Sequence, residues 1–499
     1  MPETSGDDEL RSALGGPGWP SKRWERASHL MKVARDGRPE QRAVALEALA
    51  GASAAWWTVL DETLRSQTWT VQRWTNGLVE AVAAGRADLL DLVVAGCHHQ
   101  GRLREAAVAR LRGHAHPVAA AMLALRSADW VDPVRDAARE ACEHLLDERI
   151  DAPRLLAVAG LADALGERVR GRWLRERVDA LVPRLPDETR SQLLRSGHRD
   201  VRRNAYRLAI AAGRLPVDRL VDAALRDADL VIRRTCADAA FAAAADLSVA
   251  RRLLAARTPL IRSEAVRLLA RGGERTVARA ALADRSPLVR LVAQVAVGRA
   301  GGDPAAYYRE LLAGACPAPG AIAGLGETGT SGDVDLIARW LAHPSARGRV
   351  EAVRALVARD AVRAEPLLPL LHDPANPVVA QAAAALSTVA HEISPALLRE
   401  LLDPAQRPAV RRAAYRLVLV RDVWLGLTVG LRLLADADPV LGAQARAEVA
   451  AWPRNPGPGA YRRLTPEVAP ELLAAIEQAR PVLGDSRTEL LRWCVRQDR

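Results

Sequence analysis

Val201-Arg-Arg-Asn-Ala-Tyr-Arg-Leu208 is spelled again, with one change, as Val410-Arg-Arg-Ala-Ala-Tyr-Arg-Leu417. Two near-copies so far apart in one chain mark a duplicated unit, and their spelling tells what the unit is. Counted from the first valine at 100° per residue, positions +0, +4 and +7 fall on one helical face. That face reads Val201/Ala205/Leu208, Val410/Ala414/Leu417 and, between them, Ile261/Ala265/Leu268. An apolar stripe of that width is a core face.

The pair that opens each such helix recurs about every thirty residues, the period of stacked supersecondary units. It falls at Gln41-Arg42, Gln72-Arg73, Leu103-Arg104 and Val134-Arg135. It continues at Val169-Arg170, Val201-Arg202, Ile232-Arg233, Ile261-Arg262 and Val289-Arg290, with a weaker member near Ala321. Ala346-Arg347, Val379-Ala380, Val410-Arg411 and Leu441-Gly442 complete it. The turns before these helices read Asp284-Arg-Ser-Pro, Asp373-Pro-Ala-Asn-Pro and Asp436-Ala-Asp-Pro. Asp caps the turn, and Pro suits the first helical position.

The turn-helix spelling Asp-x-x-Pro-x-Val-Arg-x-x-Ala resembles the HEAT repeat, and Ala323-Gly-Leu-Gly-Glu-Thr-Gly329 resembles the HEAT-like units first noted in phycobilisome lyases. The resemblance covers residues 37–452. It implies an all-α, right-handed superhelical solenoid of about 13–14 HEAT-like helix pairs. It also implies that the repeated Arg at +1 forms a ladder with the turn Asp residues, and that +2 and +6 lie on the concave surface. Four segments are expected: a mobile tail over 1–18, the solenoid over 19–452, a Pro-rich linker over 453–470 and a helical cap over 471–499.

Composition narrows the function classes. The formal charge is +11 with a pI near 10.2, a balance that invites nucleic acid. Of 71 basic residues, however, only Lys22 and Lys32 are lysine. The scarcity of Lys, Asn, Ile and Phe beside abundant Ala, Arg, Gly and Pro is what a GC-rich genome imposes, so part of the charge is compositional. Five cysteines without a CxxC pair fit a reducing, cytoplasmic setting. The acidic opening MPETSGDDEL lacks the positive charge of a secretory leader. No uncharged apolar run reaches the roughly 18 residues of a membrane span.

Candidate binding residues lie at +2 and +6 of the middle units: Arg175, Arg203, Arg207, Arg234 and Arg267 form a basic stripe that would attract phosphates or an acidic protein surface. One unit earlier the face is acidic, with Asp136, Glu140 and Glu143. Trp69 and Trp74 supply the rigid aromatic area typical of binding hot spots.

Other patterns are set aside on geometry. Cys97, His98, His99, His114, His116, Cys142 and His144 crowd together, but the two His pairs flank one helix and lie roughly 16 Å apart, too far to share a metal. Gly324-x-Gly326-x-x-Gly329 matches a dinucleotide fingerprint as text, yet no strand precedes it. One His391-Glu392 pair falls short of the several that deoxyhypusine hydroxylase uses for iron. Trp130-Val-Asp132-Pro-Val-Arg135 loosely echoes the HEAT-like alkylpurine DNA glycosylases, while Asp132 also reads as a turn cap. The reading is a non-enzymatic HEAT-like scaffold with no catalytic residue, metal or cofactor, holding a protein partner on its concave face. The alternative is a phosphate-backbone binder.

Overall fold

The computed structural model describes residues 22–66, 72–453, 464 and 468–497. Among them every regular element is helical and there is no strand. The helices divide into two compact units, between Ala245 and Asp246. The core of the first runs through buried residues from Ala27 to Leu208, and that of the second from Val266 to Ala445, with a further cluster from Trp424 to Val495.

In both units the pairs form as the spelling requires. Pro opens the helices Pro117–Arg126, Pro259–Arg271, Pro287–Arg299 and Pro408–Arg421. Its missing N–H is one that a first helical turn leaves unpaired in any case. The opening residues Leu103, Val134, Val201, Ile232, Ile261, Val289, Val379, Val410 and Leu441 are all buried. Ala205, Ala265 and Ala414 bury beside them, as the +4 reading requires. In the helix Pro259–Arg271 the third core position is Leu269 rather than the expected Leu268, which is half-buried.

The arginines at +1 tie each turn to the next. Arg262 donates to the carbonyl of Ala256 at 2.8 Å and to both oxygens of Asp284 at 3.0 and 2.8 Å. Arg411 does the same with Leu402 and Asp436, and Arg104 with His98, His99 and Asp129. The carboxylate of each turn Asp also closes its own turn. Asp284 accepts from the backbone N–H of Ser286 at 2.7 Å, and Asp373 from that of Ala375 at 2.8 Å. One side chain thus caps a turn and anchors the arginine of the preceding unit.

The period slips twice. Val169 is 92% exposed, and the helix after it begins only at Arg172, burying Leu174, Val178 and Leu181. Leu174 therefore stands where Val169 was expected. In the second unit the ladder residue is not Arg347 but Arg349, which donates to His343 O at 2.8 Å and to Asp373 at 2.6 Å. The position before it is Gly348, buried against the His343 ring. The glycine fingerprint is helix interior. Gly324 and Gly326 lie within Pro319–Thr328, where a Cβ on Gly326 would come 2.6 Å from the Ala355 Cβ. These glycines serve close packing, not a phosphate loop.

Candidate functional site

Each arginine of the basic stripe has a carboxylate beside it. Arg203 lies 2.8 Å from Asp229, the cap of the next second helix, and Arg207 lies 3.0 Å from Asp179. Arg234 is 3.7 Å from Asp238 on its own helix, and Arg267 pairs with Glu264. Because of the slip, Arg175 follows core residue Leu174, but it turns back to Asp163 of the preceding helix, 3.1 Å away, instead of reaching a following turn. The acidic patch is matched too: Glu140 meets Arg112 at 2.8 Å and Glu143 meets Arg177 at 3.0 Å. Trp69 lies outside the described residues. Trp74 falls in the helix Gln72–Ala83, but its side chain is likewise outside them.

In the first unit Arg175, Arg203 and Arg207 meet around one cavity of about 1050 Å³, with Trp57, Tyr206 and Asp163 also in its wall. Asp163 is largely buried, and one of its oxygens has no hydrogen-bond partner. Burial pushes its carboxyl up to about 6, aided by Asp179 and Asp200 and opposed by Arg175 and Arg207. Cys97 and Cys142 are buried, and burial raises both thiols; Cys142 reaches about 12. A thiol held protonated is neither nucleophile nor ligand.

The second unit holds a cleft of a different kind. About 740 Å³ in volume, it lies among the helices Pro259–Arg271, Arg275–Ala281 and Pro287–Arg299. Its wall carries Arg267, Arg271, Arg275, Arg279 and Arg299 and no carboxylate. Apart from Arg267, none of these makes an ion pair within 4.0 Å among the described residues. Between them stand Leu291 and Val295, at +2 and +6 from Val289 and 55% and 45% exposed. Of the predicted stripe only Arg267 reaches this cleft. On the helix Pro287–Arg299 positions +2 and +6 are apolar, and Arg271, Arg275 and Arg299 come from helix ends. The signal was present in Leu291 and Val295, which break the polar character of that face.

No family model matches the chain, and no curated protein matches it. Among solved structures, importin beta in an ammonium sulfate condition is 14% identical, aligned over 98% of this chain and 74% of its own, with a TM-score of 0.34. Yeast importin-beta is 14% identical over 98% and 62% of the two chains, with a TM-score of 0.21. An engineered protein is 16% identical over 99% and 98%, at 0.17. The chain thus spans 62% to 74% of the length of these importin-beta chains. Scores this low leave the assignment to the chain's own stacked helix pairs and their Arg–Asp ladder. Those make it, over the described residues, an all-α protein of repeated helix pairs.

Proposed function

We propose that the protein is a non-enzymatic scaffold whose second unit holds an acidic, amphipathic segment of a protein partner in the cleft around Leu291 and Val295. One observation carries this reading: exposed aliphatic side chains are ringed by arginines of which, Arg267 aside, none makes an ion pair among the described residues. Leu291 and Val295 offer an apolar seat at helical spacing, suited to the apolar face of a partner helix. The free guanidiniums at its edge favour Glu and Asp on the partner's flanks and reject basic competitors. Duplex DNA or RNA would use the cations and leave the aliphatic seat uncovered, which disfavours the phosphate-backbone alternative. The paired stripe argues the same way, since each stripe arginine would have to leave a carboxylate to meet a phosphate.

The test is fluorescence anisotropy with two probes, a labelled Leu/Glu amphipathic helical peptide and a labelled DNA duplex, at low and near-physiological salt. The peptide is expected to bind at both salts, and Leu291→Asp or Arg275→Glu/Arg279→Glu to weaken it about tenfold or more. Duplex binding that survives physiological salt, with no peptide binding, overturns the proposal in favour of nucleic acid.

A further inference from the structure

The first unit buries charge on a scale that its repeat ladder does not require. Asp61 and Arg65 of the helix Ala54–Ser66 meet Arg104, Arg126 and Asp129 in one network. Arg104 and Asp129 have fully buried side chains 2.9 Å apart. Arg126, 2% exposed, lies 2.6 Å from Asp61 and 2.8 Å from Asp129. Burial alone would raise the Asp129 carboxyl, but hydrogen bonds from Arg104 and the charge of Arg126 hold it below the usual range. Three guanidiniums against two carboxylates leave one positive charge over. Two donors are also left over: Arg126 Nε and Arg65 Nη1 are buried with no hydrogen-bond partner among the described residues. Orphan donors on buried cations are costly unless something fills them.

This network walls a cavity of about 630 Å³, within the range of small-ligand sites. Its mouth is the turn Arg168-Val169-Arg170, exposed throughout. That turn exists because the repeat slips there: a Cβ on Gly171 would collide with the carbonyl of Leu165, so the chain passes closer than any other residue allows. Trp130 completes the wall and is 61% exposed. The Arg104 guanidinium sits over one face of its ring, 5.8 Å from the centroid, and the exposure leaves the other face open to a ligand.

We propose that this cavity binds a phosphate monoester carried on a planar ring, of the size of a nucleoside monophosphate. The ring stacks on the open face of Trp130. The phosphate lies against the Arg65 side chain, which is 24% exposed, and Arg168 and Arg170 add charge beside it. A phosphate dianion suits the site better than a carboxylate, because it meets both the excess charge of the network and that of the mouth with three acceptor oxygens. A neutral ring would leave the excess positive charge of the site unmatched. The site is separate from the cleft in the second unit, and the proposal stands or falls independently of it.

Isothermal titration of the full chain at near-physiological salt tests this with AMP, O-phosphotyrosine, inorganic phosphate and adenosine. At least one ring-bearing phosphate is expected to bind, and phosphate or adenosine alone about tenfold or more weaker. AMP against phosphotyrosine tells a nucleotide source from a phosphoprotein source. Trp130→Ala and the pair Arg168→Glu/Arg170→Glu alter exposed side chains, so each should lose about tenfold in affinity with thermal unfolding unchanged. No binding of either ring phosphate at millimolar concentration, or binding that neither variant weakens, overturns the proposal.

Discussion

The second unit repeats one rung three times over, while the first unit changes the rung from pair to pair. Arg262–Asp284, Arg349–Asp373 and Arg411–Asp436 are near-superimposable in chemistry: two bonds to a turn carboxylate and at least one to a preceding carbonyl. In the first unit Arg104–Asp129 is fused to Arg126, Arg65 and Asp61. The next rung turns inward, Arg135 reaching Asp132 of its own helix at 2.7 Å, and the one after is lost where Val169 is expelled. Regular rungs hold the stack. Two cavities of the first unit border the slip, since Arg175 lines one and Arg168–Arg170 the other. The cleft of the second unit instead opens beside a regular rung, Arg262–Asp284.

The comparison is broken most directly by removing one rung from each unit. Arg104→Met deletes a fully buried guanidinium and leaves the carbonyls of His98 and His99 and part of Asp129 without donors, at a cost of about 3–5 kcal/mol. Arg349→Met removes the corresponding rung where the side chain is 14% exposed and water can compensate, at about 1–3 kcal/mol. Urea denaturation together with hydrogen exchange over Gly101–Leu111 and Ala346–Ala358 measures both. Equal losses would mean that fusion of the Arg104 rung to its neighbours adds nothing.

Packing sets the next largest effect. Gly326→Ala in the second unit forces a methyl against Ala355 and is expected to cost about 1–3 kcal/mol, read from the thermal midpoint. The open counterpart in the first unit is Gly160, where a Cβ has only ordinary contacts at 3.9 Å to Ala54 and Val201. Gly160→Ala lies in the interior of Ala152–Leu165 and should stabilise by about 0.5–1 kcal/mol. A loss at Gly160 as large as that at Gly326 would show the first unit packed as tightly as the second.

Much of this was legible in the sequence, for reasons that also explain what was not. The period survives because apolar burial at Val201, Ile261 and Val410 and the arginine after each are needed in every unit. The slips were invisible because Val169-Arg170 has the right spelling at the right spacing. Only packing shows that Leu174 fills the core five residues later. The stripe was misleading for a related reason. Helical geometry places Arg203 at +2, but it cannot show that the cap of the following unit, Asp229, stands 26 residues on at 2.8 Å. Pairing across units is a three-dimensional fact, and an arginine-rich chain offers more candidates than sites. The cleft at Leu291 and Val295 was readable only as an absence of charge.

Asp163 of the first unit should answer pH in the opposite sense to two aspartates of the second. Asp163 has a folded pKa of about 6, above the ordinary value near 4, so between these limits the folded first unit binds more protons than the unfolded chain. The contribution of Asp163 to stability therefore falls as pH rises from about 4 through 6. In the second unit Asp333 and Asp438 are held at about 2, by hydrogen bonds from Arg309 and Arg412 respectively. Their contribution is full above pH 4 and is lost as pH falls towards 2. Hydrogen exchange at pH-corrected rates should show Ala152–Leu165 better protected at pH 5 than at pH 7, and Asp163→Asn should remove the difference. No such gain is expected in Pro439–Ala451, the helix that Asp438 caps.

The smallest effect concerns the stripe itself. Arg234 and Asp238 are 61% and 65% exposed and 3.7 Å apart, a pair worth at most about 0.5 kcal/mol because water and salt screen it. Arg234→Gln should therefore leave the thermal midpoint within error. It should also leave the salt dependence of any duplex binding unchanged, because a dispensable surface pair is not a phosphate contact. A phosphate contact would be seen as a fall of nearly one in the slope of log affinity against log salt. Such a fall with Arg234→Gln, and a larger one with Arg203→Gln/Arg207→Gln, would mean that these arginines leave their carboxylates for a polyanion. The unpaired cleft arginines and the paired stripe would then have exchanged roles.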